Sequence, residues 1–164
     1  MRTMKHLSIL AVALSLTTLG SAATKAEPKL TPEQIAAAAT TVTGKLVFTA
    51  TITVSSTIPA ADVISCGAQA TVLDTGSGNS IFETAAVAAT RSGSTATCSV
   101  TIPYSWNLVT PTADFASLSF SVNVPATPAT PAALLPNRVS SQTLGRIPVP
   151  PNGTTTTQTL KVTI

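Results

Sequence analysis

The sequence predicts an all-β domain, a sandwich of about seven short strands tied by one disulfide and preceded by a helical signal peptide. Three observations lead there. Apolar and hydroxyl residues alternate over run after run, the period of a strand with one face on a core. Clusters of Gly, Pro, Asn and Ser separate those runs. Thr, Ala, Ser and Val dominate a chain in which only 9% of residues are charged, and Thr and Val suit a half-buried pleated surface.

The beginning of the chain is a targeting segment by pattern. Met1-Arg2-Thr3-Met4-Lys5-His6 is a short basic start, and Leu7 to Leu19 form an apolar run broken only by Ser8, Ser15, Thr17 and Thr18. Small residues follow at Gly20-Ser21-Ala22-Ala23 and Thr24-Lys25-Ala26. This is the order of a secretory signal, with cleavage expected after Ala23 or Ala26. The run is shorter than the about 20 apolar residues that span a bilayer. Once the signal is cleaved, no membrane-spanning segment is expected. Residues 1–26 are read as signal, 27–43 as an extended or short helical segment, and 44–164 as the sandwich.

Cleavage changes the charge. The formal +3 of the whole chain includes Arg2, Lys5 and Lys25. Beyond Ala26, Lys29, Lys45, Arg91, Arg138, Arg146 and Lys161 balance Glu27, Glu33, Asp62, Asp74, Glu83 and Asp114. A chain near neutrality lacks the dense cationic footprint of a nucleic-acid binder. The one histidine, His6, leaves with the signal, so the expected mature protein has no imidazole for Ser-His or Cys-His catalysis or for metal ligation. No cofactor or metal is expected.

Thr31-Pro32-Glu33-Gln34 can open a helix, with Thr31 as cap, Pro32 in the first turn and Gln34 as the reciprocal partner. Thr40 to Thr43 then favour extended chain. Leu46, Phe48, Ala50, Ile52 and Val54 mark one strand face, and Ile64, Cys66, Ala68, Ala70 and Val72 a second. The turn cluster Asp74 to Ser80 leads into an alanine-rich run from Ile81 to Arg91, and Arg91-Ser92-Gly93-Ser94 reverses the chain. Ala96, Cys98, Val100 and Ile102 face inward next, then Ala116, Leu118, Phe120, Val122 and Val124. Pro125, Pro128 and Pro131 suggest a surface crossing in polyproline II period. Ile147, Val149 and the turn Pro150-Pro151-Asn152-Gly153 precede a last strand carrying Leu160, Val162 and Ile164.

Cys66 and Cys98 both fall on inward faces, and in an exported chain they are expected to pair. Closing the intervening loop stabilises a fold by roughly 3–4 kcal/mol by the chain-entropy argument. The sandwich resembles an immunoglobulin-like architecture, although Trp106 follows the second cysteine rather than lying between the two. Tyr104 and Trp106 keep the inward phase of their strand and are expected in the core or at its edge. As an exposed pair they would form a ligand platform on which a sugar ring could stack.

Val72-Leu73-Asp74-Thr75-Gly76-Ser77 resembles the catalytic turn of aspartic proteases, and Leu144-Gly145-Arg146 resembles a later element of the retroviral type. That resemblance implies a dimer in which two Asp74 carboxyls share a proton. Pro148, Pro150 and Pro151 forbid the helix that follows in that family. The competing reading is a polar hairpin turn, in which Asp74→Asn costs no more than about 0.5 kcal/mol, as at ordinary surface positions. Asn152-Gly153-Thr154 fits a glycosylation acceptor, and after two prolines it reads first as a turn.

The function expected is therefore that of an exported, non-enzymatic structural or adhesive module, secreted, periplasmic or on the cell surface. Its expected partners are other exported or cell-surface proteins. The alternatives are a carbohydrate-binding module using Tyr104 and Trp106, or a pilus-type subunit. Composition, signal and an early cysteine pair resemble pilus subunits assembled by strand donation, with Glu27 to Thr43 as the donated strand.

Overall fold

A computed structural model of the chain describes residues 31–134 and 138–164. The expected signal peptide, residues 1–26, lies outside the described residues.

Alternation dictates the sheets. The burial of β5 (Thr95–Leu108) switches strictly residue by residue, and β1 (Thr40–Thr53), β2 (Ser65–Asp74) and β6 (Phe115–Asn123) follow the same two-residue period with few breaks. Four more strands complete the set: β3 (Asn79–Ala88), β4 (Thr90–Ser92), β7 (Val139–Pro148) and β8 (Thr154–Thr163). They form two four-stranded sheets, ordered β4-β5-β1-β8 and β3-β2-β6-β7. The pairing is antiparallel except between β1 and β8, which run parallel from Gly44↔Thr154 to Thr53↔Thr163.

The two inner faces share one core. Phe48 of β1 stacks on Phe120 of β6 at 6.3 Å between ring centroids, and Leu46, Ile52, Val72, Val100 and Ile102 are fully enclosed around them. Cys66 of β2 and Cys98 of β5 form a disulfide between the sheets, with Cα atoms 6.6 Å apart. At one margin the chain itself passes from sheet to sheet, as β3 ends at Ala88 and β4 begins at Thr90.

Several boundaries differ from the sequence reading. A helix, α1 (Pro32–Ala38), does form, and its capping box closes both ways: Thr31 N–H donates to Gln34 Oε1 at 2.9 Å and Gln34 N–H to Thr31 Oγ1 at 3.3 Å. The first strand begins at Thr40, because Thr40 to Thr43 pair with Ser105 to Leu108 of β5. Of the segment read as a donated strand, Glu27 to Thr43, the described part is helix from Pro32 to Ala38 and β1 of its own sheet from Thr40, and residues 27–30 lie outside the described residues. The strand β7 was hidden because its residues are polar and only partly buried. Leu144 is an extra residue opposite the Leu118/Ser119 step, and Gly145 takes φ +83° to make that bulge. The proline segment joins β6 to its neighbour β7, closed at its base by Val124 N–H to the Arg138 carbonyl.

Among the described residues, no helix is long and apolar enough to cross a membrane.

Candidate functional site

Tyr104 and Trp106 point inward from β5 and stack on each other, 4.0 Å between centroids and 17° between planes. Trp106 is wholly buried and Tyr104 is 4% exposed, so the pair offers no open ring face to a sugar. The room for Tyr104 comes from Gly44, its partner on β1. A Cβ at Gly44 would lie 2.6 Å from Tyr104 Cζ and 2.5 Å from the Thr154 carbonyl oxygen. Burial pushes the Tyr104 phenol up from its ordinary value, and the neighbouring Thr154 offsets part of that rise. The contact falls short of a directed hydrogen bond, and neither Tyr104 Oη nor Trp106 Nε1 has a hydrogen-bond partner among the described residues.

Asp74 closes β2 and is 2% exposed, which corrects its reading as an ordinary surface turn residue. The reason is the β5–β6 loop, which folds over the turn. Asp74 Oδ1 accepts the N–H groups of Gly76 and Val109, each at 3.2 Å, and Oδ2 accepts the Ser77 hydroxyl at 2.6 Å. Burial pushes this carboxyl up, but the Ser77 hydroxyl and the N–H groups of Val109, Gly76 and Thr110 outweigh it and hold it below its ordinary value.

A second buried carboxylate, Asp114, completes the arrangement from the other loop. Its Oδ1 accepts Thr75 N–H at 3.0 Å, the Thr75 hydroxyl at 2.7 Å and the Thr110 hydroxyl at 3.2 Å. In the sequence Asp114 enters only the charge balance. Its signal is an Asp three residues beyond a proline, just before the cleanest alternating strand, where a loop must be anchored. The two aspartates lock the β2–β3 turn to the β5–β6 loop: both oxygens of Asp74 and Oδ1 of Asp114 accept backbone or hydroxyl donors, while Asp114 Oδ2 is buried without a hydrogen-bond partner among the described residues. A proton-sharing pair needs two carboxyls facing each other, whereas both oxygens of Asp74 are taken up by Gly76, Val109 and Ser77.

Beside this lock lies a cleft of about 470 Å³, bordered by Pro32, Thr41, Asp74, Ser77, Asn79 and Asn107. Thr41 donates to Asn107 Oδ1 at 2.7 Å. Among the described residues, no group of three or more His, Cys, Asp or Glu side chains is placed to hold a metal. Asn152, the glycosylation-type residue, uses its Oδ1 to accept Thr43 N–H at 2.8 Å and the Thr43 hydroxyl at 2.9 Å, pinning the β7–β8 turn to β1.

The chain matches no known family, curated protein or solved structure. Its site must be read from its own surface.

That surface has one feature that the strand pattern already contained. Leu73, Phe82 and Phe115 fall on the outward, otherwise hydroxyl-rich phase of β2, β3 and β6, and they are 45%, 63% and 42% exposed. The register sets Phe82 beside Thr71 and Thr71 beside Ser117, so the three form an oblique stripe across adjacent strands. Arg146 of β7 lays its guanidinium 5.2 Å from the Phe115 ring centroid, a cation–π contact at one end of the stripe. Exposed apolar side chains grouped on one face mark interaction surfaces more often than single ones do.

Proposed function

We propose that this chain is an exported, non-enzymatic structural or adhesive module, an immunoglobulin-like sandwich that works through the outer face of sheet β3-β2-β6-β7. The observation that carries the reading is the stripe Leu73–Phe82–Phe115, large apolar side chains held in solvent on a rigid sheet. Their burial against a partner is favourable at about 25 cal/mol per Å² of apolar area.

Other features support the parts of this reading. The leader pattern of residues 1–26 and the disulfide fit an oxidising compartment outside the cytoplasm. The strand orders fit an immunoglobulin-like scheme of one A-B-E-D sheet and one G-F-C-C′ sheet. In that scheme β1 is B, β5 is E and β4 is D, while β7, β6, β2 and β3 are G, F, C and C′. The place of A is taken by β8, running parallel to β1. The bridge differs from the antibody type, joining C to E instead of B to F. The aspartates and the aromatic pair are spent on structure, which argues against the protease and sugar-stacking alternatives.

Adherence of producing cells to each other and to an apolar surface tests the proposal. Leu73→Ser with Phe115→Ser, exported and folded like the parent, should lower adherence several-fold. Unchanged adherence would count against the stripe. Acid proteolysis abolished by Asp74→Asn would favour the enzyme instead.

A further inference from the structure

Each sheet has two edges, and a strand edge left open is a template for another strand. Three of the four are protected. The strand β4 is only three residues long, and beyond Thr97 that edge passes to β5, which carries Pro103. The strand β7 carries the Gly145 bulge, Arg146 and Pro148. The strand β8 carries Lys161, whose carbonyl accepts Gln142 Nε2 from β7 at 3.2 Å. Among the described residues, the fourth edge, β3, has none of these devices. It is ten residues long, Asn79 to Ala88, unbroken by proline, glycine or bulge, with Glu83 as its one charge.

The ladder fixes which backbone groups are open. Ala89 N–H donates to the Ile64 carbonyl at 2.7 Å, one step beyond the pair Ser65↔Ala88. Hydrogen-bonded pairs alternate along an antiparallel ladder. Ile81, Glu83, Ala85 and Val87 therefore turn their N–H and C=O groups to β2. Ser80, Phe82, Thr84, Ala86 and Ala88 turn theirs to the open edge.

We propose that β3 pairs antiparallel with β3 of a second copy of this chain, on a two-fold axis at Thr84, joining the two sheets into one of eight strands. In this register Phe82 lies opposite Ala86 of the second copy, Ser80 opposite Ala88, and Thr84 opposite itself. These are the residues with open groups, so each such pair can exchange two hydrogen bonds. Ile81 meets Val87, and Glu83 meets Ala85 rather than its own symmetry mate, so no like charges oppose each other.

The outer surface is complementary in the same register. Ala86 borders a trough of about 600 Å³ lined by Gly67, Gln69, Thr84, Ser119 and Ser121. The register continues from Ala86 to Gly67 and on to Ser121, all small residues. Phe82, 63% exposed, is the knob that the second copy's trough receives, and the exchange is mutual, as an isologous interface requires. Nine facing residues per copy, with the Phe82 ring, bury on the order of 1,000 Å² in total, the lower bound of a specific interface. The dimer is accordingly of moderate affinity. It uses the backbone of β3 and draws Phe82 out of the outer stripe, leaving Leu73 and Phe115, the two residues of the adherence test, exposed.

Sedimentation velocity of the exported protein, from about 10 μM to about 1 mM, tests it over the range expected of a small interface. A monomer–dimer equilibrium is expected. Ala86→Lys fills the trough and Thr84→Pro removes the N–H on the axis. Each should raise the dissociation constant about tenfold or more, with strand content and the melting transition retained. Ala86→Lys leaves the bonds to β2 intact and serves if Thr84→Pro fails to fold. Oxidised Thr84→Cys should crosslink to its mate across the axis, where Cα atoms stand about 5.5 Å apart, and Ser80→Cys should not. A protein monomeric throughout, a dimer indifferent to Ala86→Lys, or equal crosslinking through position 80 would overturn the proposal.

Discussion

Asp74 shows how one carboxylate can carry a turn. It accepts three donors from two loops while almost wholly removed from water. Hydrogen bonds to a charged acceptor contribute more than neutral ones, and donors left without a partner carry a desolvation cost. Asp74→Ala should therefore destabilise the fold by about 1.5–3 kcal/mol. Asp74→Asn should cost less, since its Oδ1 keeps the backbone donors and the Ser77 hydroxyl can turn to accept from Nδ2. The sign of the acid dependence follows from the lowered pKa. A carboxyl held below its ordinary 3.8 in the fold contributes stability above that value, and the contribution is lost as pH falls through 3.8 and then through the folded value. Denaturant titrations from pH 6 to about pH 2 should show a shallower acid loss in Asp74→Asn than in the parent. Equal slopes would mean that Asp74 is not the group responsible.

At the scale of the element, the strands with strict alternation were legible in sequence because one face is core and the other solvent. The bridge between Cys66 and Cys98 was legible for the same reason, as both lie in the inward phase. Edge strands were harder to read. Neither face of β7 is well buried, so its composition carries no alternation, and its bulge at Leu144 breaks what period there is. The sequence pattern starts β1 later than the structure does because Thr40 to Thr43 carry little apolar alternation, and their pairing to β5 is a backbone matter that side-chain pattern does not report. The close passage of β1, β5 and β8 at Gly44 was likewise invisible until three strands were placed together. There, Gly44→Ala should cost about 1–3 kcal/mol by overpacking, because the added methyl meets the Thr154 backbone as well as the Tyr104 ring. Thermal unfolding measures it, and a melting temperature equal to the parent's would show that the strands can separate to admit the methyl.

At the scale of the whole molecule, the candidate site divides into what the sequence displayed and what only the third dimension supplies. Tyr104 and Trp106 drew attention by rarity, and their inward phase already pointed to the core where they lie. Asp74 drew attention by a motif, and its burial depends on a loop 35 residues away that no local pattern announces. Leu73, Phe82 and Phe115 were not singled out in the sequence, because Phe82 lies in an alanine-rich run without clear phase and the three become a stripe only when three strands stand side by side. The proposed function requires that the chain be exported, that its leader be removed and that its two sheets be tied by the Cys66–Cys98 bridge. The most direct measurement is the intact mass of the exported protein without reduction, followed by peptide mapping. The account predicts a chain starting at Thr24 or Glu27, two hydrogens lighter than its reduced form, with the Cys66 and Cys98 peptides linked. A mass that retains Met1, or two cysteines open to thiol labelling, would contradict it.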